Sequence, residues 1–340
     1  MKIMVLDVGG TAIKSAVFDS ARSGPAASGL EVSGLGTSVS AASGPAAPGS
    51  EASASEKTGS EENGALLDIR ETPTEAFRGG EHVVKKILSI IRETGKGQEF
   101  SAVGISTAGQ VDPGTGTIIY ANQNIPGYTG TPLAKLVSAE FSLPVRVEND
   151  VNAAALGEAL FGAGKGISDF ICLTYGTGIG GALFLNGRLF HGSTFSAGAA
   201  GAIVVHPEDR DPGKDMYLGG YEKYASATAL VKKAQLLDPS LTDGRSIFRR
   251  LQEPQVKELV DGWIMEIVYG LVSIVHFMNP SCLILGGGIM EQPYVTDRVR
   301  ETLLENIMPD FRSLEVRRAA LGNRAGLLGA AALFRDPDTI

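Results

Sequence analysis

Alternation between apolar and polar positions divides much of the chain into short strands and amphipathic helices. KIMVLDVGG is an apolar run that ends at a glycine pair, and IKSAVFD follows with apolar positions alternating with polar or small ones. This pattern predicts a β-hairpin over residues 3–18. DFICLTYGTGIGGALFLNGRLF repeats the order of strand, glycine turn and strand at residues 169–190. Two segments with one organisation predict two similar α/β domains that face each other across a cleft.

The same periodicities predict the remaining elements. Residues 74–94 carry apolar positions at helical spacing, and the apolar stretch from Trp263 to Met278 contains Glu266 and His276. Those two polar residues and the Asn-Pro pair that follows favour a buried amphipathic helix over a membrane span. Further strands are predicted in ALLDIRETPT, FSAVGISTAG, TIIYAN, PVRVEND and SCLILGGGI, and further helices in TPLAKLVSAEF, in residues 151–160 and in residues 323–334.

These elements lead us to expect an N-terminal α/β domain over residues 1–122 and a C-terminal α/β domain over residues 123–322. A last helix within residues 323–340 is expected to return to the N-terminal domain. Residues 21–63 interrupt the first domain with Ser, Gly, Ala, Pro and scattered Glu, and they contain no aromatic residue. Because such a segment cannot bury enough apolar surface to offset its ordering entropy, we expect a disordered insertion.

Composition narrows the class of protein. With 340 residues and 43% hydrophobic residues, the chain is long and apolar enough for a substantial core. A net charge of −8 without a basic block disfavours nucleic acid and anionic membranes as partners. Cys172 and Cys282 lie in separate apolar runs and predict reduced, buried thiols. Together with the lack of a signal-peptide pattern at the first residues, they predict a cytoplasmic protein.

Three glycine-rich turns are candidate phosphate sites, because glycine lets backbone N–H groups approach an anion closely. Asp7 stands at the strand end before the first turn and is placed to order a magnesium ion through water. Each turn alone is more often a tight hairpin turn, but the three together with a carboxylate indicate a nucleoside triphosphate between two domains. In chain order the turns contain Gly9, Gly10 and Thr11; Gly176, Thr177, Gly178 and Gly180; and Gly286, Gly287 and Gly288.

The segment VENDVNAAALGE places Asn149 and Asp150 between a predicted strand and an alanine-rich helix. A carboxylate at this position has two ordinary roles. It caps the helix by accepting backbone N–H groups, or it serves as a general base in the cleft. The residues alone favour neither role for Asp150.

Four motifs, taken in order, resemble the ROK family of bacterial sugar kinases and repressors: DVGGTAIKSAVFD, VENDVNAAALGE, LTYGTGIGGALFLNGRLFHG and LILGGGI. The resemblance covers nearly the whole chain apart from residues 21–63. It implies two ribonuclease-H-like domains of the actin-like ATPase superfamily around a central cleft. It also implies ATP with Mg²⁺ in that cleft, phosphorylation of a hexose or hexose derivative, and a homodimer.

The resemblance further implies roles for single positions. The first glycine turn with Asp7 and Lys14 matches the first phosphate motif, the second turn matches the second phosphate motif, and the third turn matches the adenosine motif. Asp150 matches the catalytic aspartate. Asn124 in NIPGY, Asn149, and Glu222 in GGYEKYAS match sugar-binding positions, beside Asp150 itself.

The chain departs from the family in the sugar pocket. AGAAGAIVV places Ala199 where the family has a sugar-contacting Glu and Ala202 where it has a His. Each missing charged hydrogen bond is worth about 1.5–3 kcal/mol, so we expect weak glucose binding. The following loop lacks the family's zinc-binding cysteines, so no zinc site is expected. His206 with Glu208 and Asp209 is one conceivable substitute, but a solvated acidic loop is the preferred interpretation.

The sequence therefore predicts an ATP-dependent sugar kinase with Asp150 as its general base. The alternative is a sugar-binding sensor or a kinase with little turnover, without a DNA-binding domain because the chain begins at the first phosphate strand. An actin-like ATPase that acts on protein partners is disfavoured by the ENDVN segment. His191 is expected only to pack or hydrogen-bond at its strand end, and Glu158 to lie at the domain interface.

Overall fold

The computed structural model describes residues 1–22 and 65–335. All but the first two residues of the expected insertion at 21–63 lie outside these described residues. The strands are β1 (Lys2–Val8), β2 (Ala12–Asp19), β3 (Leu66–Pro73), β4 (Ala102–Thr107), β5 (Gln110–Asp112), β6 (Thr117–Tyr120), β7 (Val145–Asn149), β8 (Phe170–Tyr175), β9 (Ile179–Leu185), β10 (Arg188–Phe190), β11 (Cys282–Gly286) and β12 (Glu315–Arg318). The α-helices are α1 (Gly80–Gly95), α2 (Leu133–Phe141), α3 (Asp150–Phe161), α4 (Glu222–Ala225), α5 (Ala227–Leu237), α6 (Gly244–Arg249), α7 (Pro254–Met278), α8 (Pro293–Asn306) and α9 (Ala325–Ala332).

The described residues form two five-stranded sheets with the same topology. The first sheet has the order β3-β2-β1-β4-β7, and the second has the order β10-β9-β8-β11-β12. In each sheet the first hairpin is antiparallel and the later strands run parallel to its first strand. The inner parallel strands β4 and β11 are buried along their whole length, as strands covered on both faces must be. The predicted pair of similar α/β domains is confirmed.

Strand β7 belongs to the first sheet, which differs from the expected domain division at residue 122. It pairs in parallel with β4, from Val103 opposite Val145 to Thr107 opposite Asn149. A parallel pair needs a crossover connection, and helix α2 lies within it. The hydrophobic pattern of β7 shows that a strand is present but not which sheet it joins, so the division at residue 122 assigned this strand to the wrong sheet.

Helices α3 and α9 cross between the two sheets. Helix α3 follows β7 of the first sheet but packs on β8 and β9 of the second, while α9 follows β12 but packs on β1 and β4 of the first. The crossing is close because glycines face it: a Cβ on Gly329 would lie 1.7 Å from the Ala153 carbonyl oxygen. A Cβ on Gly157 would lie 2.7 Å from the Ala325 oxygen. This close contact joins the two domains.

Helix α7 is the predicted long apolar helix, and it extends from Pro254 to Met278. Within the part of the chain that the structure describes, it alone has the length and apolar composition to cross a membrane, but half of its most apolar window is buried inside the protein. Its buried face contributes Trp263 to the core of the second domain, where the indole Nε1 donates to the Ser226 oxygen at 3.1 Å. The prediction of a buried amphipathic helix is confirmed.

Candidate active site

A cleft of about 760 Å³ lies where the strand ends of the two sheets meet the crossing helices. Asp7 of β1 and Gly9 of its turn line the cleft, as do the glycines at and after the end of β11, and we call the part lined by the start of α3 the floor. The loop before α9 closes one side with Asn323, whose Oδ1 accepts from Lys14 Nζ at 3.4 Å. The sequence-predicted residues that line the cleft are Asp7, Gly9, Lys14, Asp150, Gly286, Gly287 and Gly288.

The other predicted residues lie outside the lining of this cleft. They are Gly10, Thr11, Asn124, Asn149, Gly176, Thr177, Gly178, Gly180 and Glu222. The second glycine turn is nevertheless adjacent to the floor, since a Cβ on Gly180 would lie 2.5 Å from the Val151 side chain. Asn124 is exposed, and its backbone N–H donates to Asn122 Oδ1 at 3.0 Å. The cleft is therefore lined by Gly9 of the first glycine turn and by all three glycines of the third turn, whereas the second turn only contacts α3 beside it.

Asn149, not Asp150, caps helix α3. Asn149 Oδ1 accepts from the backbone N–H groups of Val151 at 2.9 Å and Asn152 at 3.2 Å. Its Nδ2 donates to the Gly109 oxygen and to Asp150 Oδ1, both at 2.9 Å. The amide expected to contact sugar thus has both its polar atoms engaged within the protein. Because Asn149 takes the capping role, the carboxylate of Asp150 is not needed as the cap.

The pKa values of both cleft carboxylates, Asp7 and Asp150, are raised above those of an ordinary aspartate. Burial first, and then the charge of Asp7, raises the pKa of Asp150 to about 6, although bonds from Val151 N and Asn149 oppose the shift. Burial also raises the pKa of Asp7, against the opposing effects of a 2.8 Å bond from Ser106 Oγ and the charge of Lys14. The charge of Asp7 therefore disfavours ionisation of Asp150, and a cation bound beside Asp7 would reduce this effect.

Asp7 fits the expected magnesium ion. Magnesium prefers oxygen ligands and keeps several waters, so one carboxylate beside open volume is a typical protein contribution. Ser106 Oγ orients one carboxylate oxygen, and Gly326 of α9 leaves the space beside the group free. A Cβ on Gly326 would lie 2.5 Å from the Asp7 carboxyl carbon, so a larger residue would occupy this space.

Two buried glutamates organise the site without having been assigned to it from the sequence. Glu158 accepts backbone N–H groups from Ala163 at 2.7 Å, Ala320 at 3.1 Å and Leu321 at 2.9 Å. It therefore joins the end of α3 to the loop before α9, at the expected domain interface. Glu148, at the end of β7, contacts His191 with 2.8 Å between Oε2 and Nε2. In the sequence, the feature that points to both glutamates is an acidic residue within an otherwise apolar or alanine-rich segment.

Glu222 lies between the second glycine turn and the alanine-rich segment that contains Ala199 and Ala202. A Cβ built on Gly178 or Gly201 would lie 2.7 or 2.8 Å from Glu222 Oε2. The same oxygen accepts from the Ile179 N–H at 3.5 Å, and burial raises the pKa of this half-buried carboxyl. Glu222 is thus placed beside the segment that contains Ala202.

The loop expected to be a solvated acidic loop is anchored through His206. Its Nδ1 and Nε2 lie 2.8 Å from Glu208 and from Glu266 of α7, respectively, and its ring lies 4.1 Å from the Tyr224 ring. Tyr224 also donates to Asp209. Across residues 1–22 and 65–335, no group of three His, Cys, Asp or Glu side chains is arranged to hold a metal ion.

Comparison with known proteins decides the family. The sequence model of the ROK family matches residues 58–337. The chain belongs to the ROK family. A glucokinase of Streptomyces coelicolor is 34% identical over 299 residues, which cover 82% of this chain and 93% of that enzyme. A β-glucoside kinase of Listeria innocua is 32% identical over 266 residues, which cover 75% of this chain and 85% of the relative.

A solved structure extends the similarity of this ROK protein to the complete fold. The ROK glucokinase of Streptomyces griseus in complex with glucose and AMPPNP is 28% identical, with a TM-score of 0.73. The match covers 98% of this chain and 99% of that one. The prediction of a ROK-family sugar kinase with two domains of the actin-like ATPase fold is confirmed.

Proposed function

We propose that this protein transfers the terminal phosphoryl group of ATP to a hydroxyl group of a hexose or hexose derivative, with Asp150 as the general base. The observation that carries the proposal is the position of Asp150 at the floor of a cleft that also contains Asp7, Lys14 and the third glycine turn. The glucokinase and β-glucoside kinase relatives, and the neighbour with bound glucose and AMPPNP, support the same chemistry.

The environment of Asp150 suits proton transfer at neutral pH. With a pKa raised to about 6, the carboxyl is mostly ionised at pH 7 but is more basic than an ordinary aspartate. Asn149 Nδ2 and Val151 N hold Oδ1 at 2.9 and 3.0 Å, which restricts rotation of the carboxylate. A held carboxylate next to the transferred group accepts the hydroxyl proton as the oxygen–phosphorus bond forms.

Phosphoryl transfer otherwise depends on positioning and charge neutralisation. The glycine turns present backbone N–H groups to the triphosphate, and Lys14 supplies a positive charge beside the first turn. A bound magnesium ion, held by Asp7 through water, would neutralise charge on the phosphate oxygens. Closure of the two domains about the α3–α9 crossing would expel water and favour sugar over water as acceptor.

Asn124, Asn149 and Glu222 are the proposed sugar contacts beside Asp150. Ala199 and Ala202 offer no side-chain hydrogen bond. Asn149 Oδ1 caps α3 and its Nδ2 donates to the Gly109 oxygen and to Asp150, so a bond from Asn149 to sugar would replace one of these. These observations favour a substrate other than plain glucose. The same observations support a second candidate function, that of a sugar-binding protein with little turnover.

The test is sugar-dependent ADP release from Mg-ATP over a panel of hexoses, amino sugars and β-glucosides, measured beside Asp150→Asn. We expect release with one class of sugar, and a loss of kcat in the variant of about 10²–10⁴-fold, the usual contribution of a general base. ATP should still shift the melting temperature of the variant, because the glycine turns are unchanged. Full activity in Asp150→Asn would refute the base. Silence over the panel with retained sugar binding would favour the second candidate.

A further inference from the structure

Glu148 is a buried carboxylate that accepts from three donors within residues 1–22 and 65–335, and none of these three is a lysine or arginine. Only 1% of the residue is exposed. Oε1 accepts from the Asn149 backbone N–H at 2.8 Å and from Asn152 Nδ2 at 3.0 Å. Oε2 accepts from His191 Nε2 at 2.8 Å. A buried carboxylate that loses one such donor retains an uncompensated charge, so its partners are strongly held.

Two of these donors belong to the segment that carries the base. Asn149 directly precedes Asp150 and donates to its Oδ1, and Asn152 lies in the first turn of α3. Glu148 therefore holds the backbone before Asp150 and the helical turn after it at the same time. A rotation of this segment would break both bonds to Oε1.

The third donor comes from the other domain. His191 follows β10 of the second sheet, and the contact with Glu148 joins it to the end of β7 in the first sheet. The bond with Glu148 raises the pKa of His191, whereas partial burial opposes the shift. An ionised carboxylate only accepts, so Nε2 carries the proton in this contact.

The same histidine anchors the segment that faces the second glycine hairpin. The His191 carbonyl oxygen accepts from the Ala197 N–H at 3.0 Å. The next residue, Gly198, lies against the hairpin, where a Cβ would be 2.4 Å from the Gly181 oxygen. A continuous set of contacts therefore runs from the second hairpin through His191 and Glu148 to the start of α3.

We propose that Glu148 and His191 form a positioning pair that fixes the Asp150 carboxylate relative to the second glycine hairpin, so that base and phosphoryl donor are aligned. The proposal rests on the proposed kinase function. Neither side chain lines the cleft, so neither contacts the reacting atoms. Their effect is on the orientation of Asp150, and the pair should therefore influence kcat more than the affinity for ATP.

The experiment compares His191→Phe, His191→Gln and Glu148→Gln with the parent protein in the ADP-release assay. Phe keeps the approximate ring shape without a donor, whereas Gln keeps a side-chain N–H for Glu148. His82→Phe is the matched control, because His82 on α1 makes a similar 3.0 Å contact with Glu75, and neither residue lines the cleft. The readouts are kcat, the KM values for ATP and sugar, and the melting temperature.

We expect His191→Phe to lower kcat about 10- to 100-fold, the loss that corresponds to one charged hydrogen bond. The KM for ATP should stay within about twofold, and His191→Gln should restore kcat to within about threefold of the parent. His82→Phe should leave kcat unchanged. If His191→Phe does not fold, Glu148→Gln provides the test, because its amide oxygen still accepts from Asn149 and Asn152 but its NH2 group cannot accept from His191, so kcat should fall.

Parental kcat in folded His191→Phe, or in folded Glu148→Gln, would overturn the pair and leave the kinase proposal standing. The pair would also be overturned if the loss of kcat paralleled the loss of melting temperature in every variant and His191→Gln did not restore kcat. Such a result would indicate that the contact is purely structural. A parent protein without sugar-dependent ADP release would overturn the kinase proposal itself and the positioning role with it.

Discussion

At the scale of single residues, the proposed activity depends on Asp7 and Asp150, two carboxylates whose pKa values are raised by burial. The pKa of Asp150 is raised to about 6, and a general base acts only in its ionised form. We predict that kcat/KM falls as pH decreases through about 6 and is level above pH 7. Asp7→Asn removes the charge that is the second cause of the shift. It should move the acidic limb to lower pH even if it also weakens catalysis. A profile that is flat from pH 5 to 8 would contradict the base assignment.

His206 offers a second pH-dependent prediction, this time for stability. Its pKa is raised from 6.5, chiefly by the bond with Glu266 and further by Glu208, while Lys233 shares Glu266 at 3.3 Å. A histidine whose pKa is higher in the folded protein than in the unfolded chain stabilises the folded protein when it is protonated. This stabilisation is complete below the pKa of the unfolded chain and is lost as the pH rises through the pKa of the folded protein. His206→Gln should therefore lower the melting temperature more at pH 6 than at pH 9. Equal losses at both pH values would show that the charge of His206 does not contribute.

At the scale of elements, the crossing of α3 and α9 is the contact on which the cleft is built. A methyl group at Gly329 would lie 1.7 Å from the Ala153 oxygen, so Gly329→Ala must push the helices apart. We predict destabilisation by at least about 1–3 kcal/mol, measured by denaturant unfolding. Gly262→Ala on α7 is the control, because a Cβ there meets no atom within 4 Å. It should stabilise by up to about 1 kcal/mol. An unchanged Gly329→Ala would refute the close crossing.

At the scale of the whole molecule, α7 exposes apolar side chains on the face turned away from the core. Tyr269 is 48% and Phe277 is 87% exposed. We predict a homodimer that covers this face, with a mass by light scattering of twice the 35.5 kDa of one chain. Phe277→Asp should shift the protein toward monomer, whereas Phe77→Asp, at an 80% exposed site on the first domain, should not. A monomer at all concentrations would contradict the prediction.

Local patterns in the sequence were sufficient for most elements of the fold. The hairpins over residues 3–18 and 169–190, the buried strand β4 and the long helix α7 follow from the spacing of apolar residues, because burial of one face imposes that spacing. The motifs around Asp7 and Asp150, together with their order in the chain, were sufficient to identify the ROK family. Helix α1 begins later than expected, at Gly80, because the segment before it forms a short 3₁₀ turn over Ala76–Arg78.

Tertiary structure alone decided the features that depend on residues far apart in the chain. It assigned β7 to the first sheet, and it brought Glu148 to His191 and Glu158 to Leu321. These contacts join residues separated by up to 163 positions, and no local periodicity records them. The sequence by itself therefore determined which elements form and which chemistry is present. The packing of α3 against α9 decided how the proposed catalytic groups are oriented, because orientation arises only when distant segments meet.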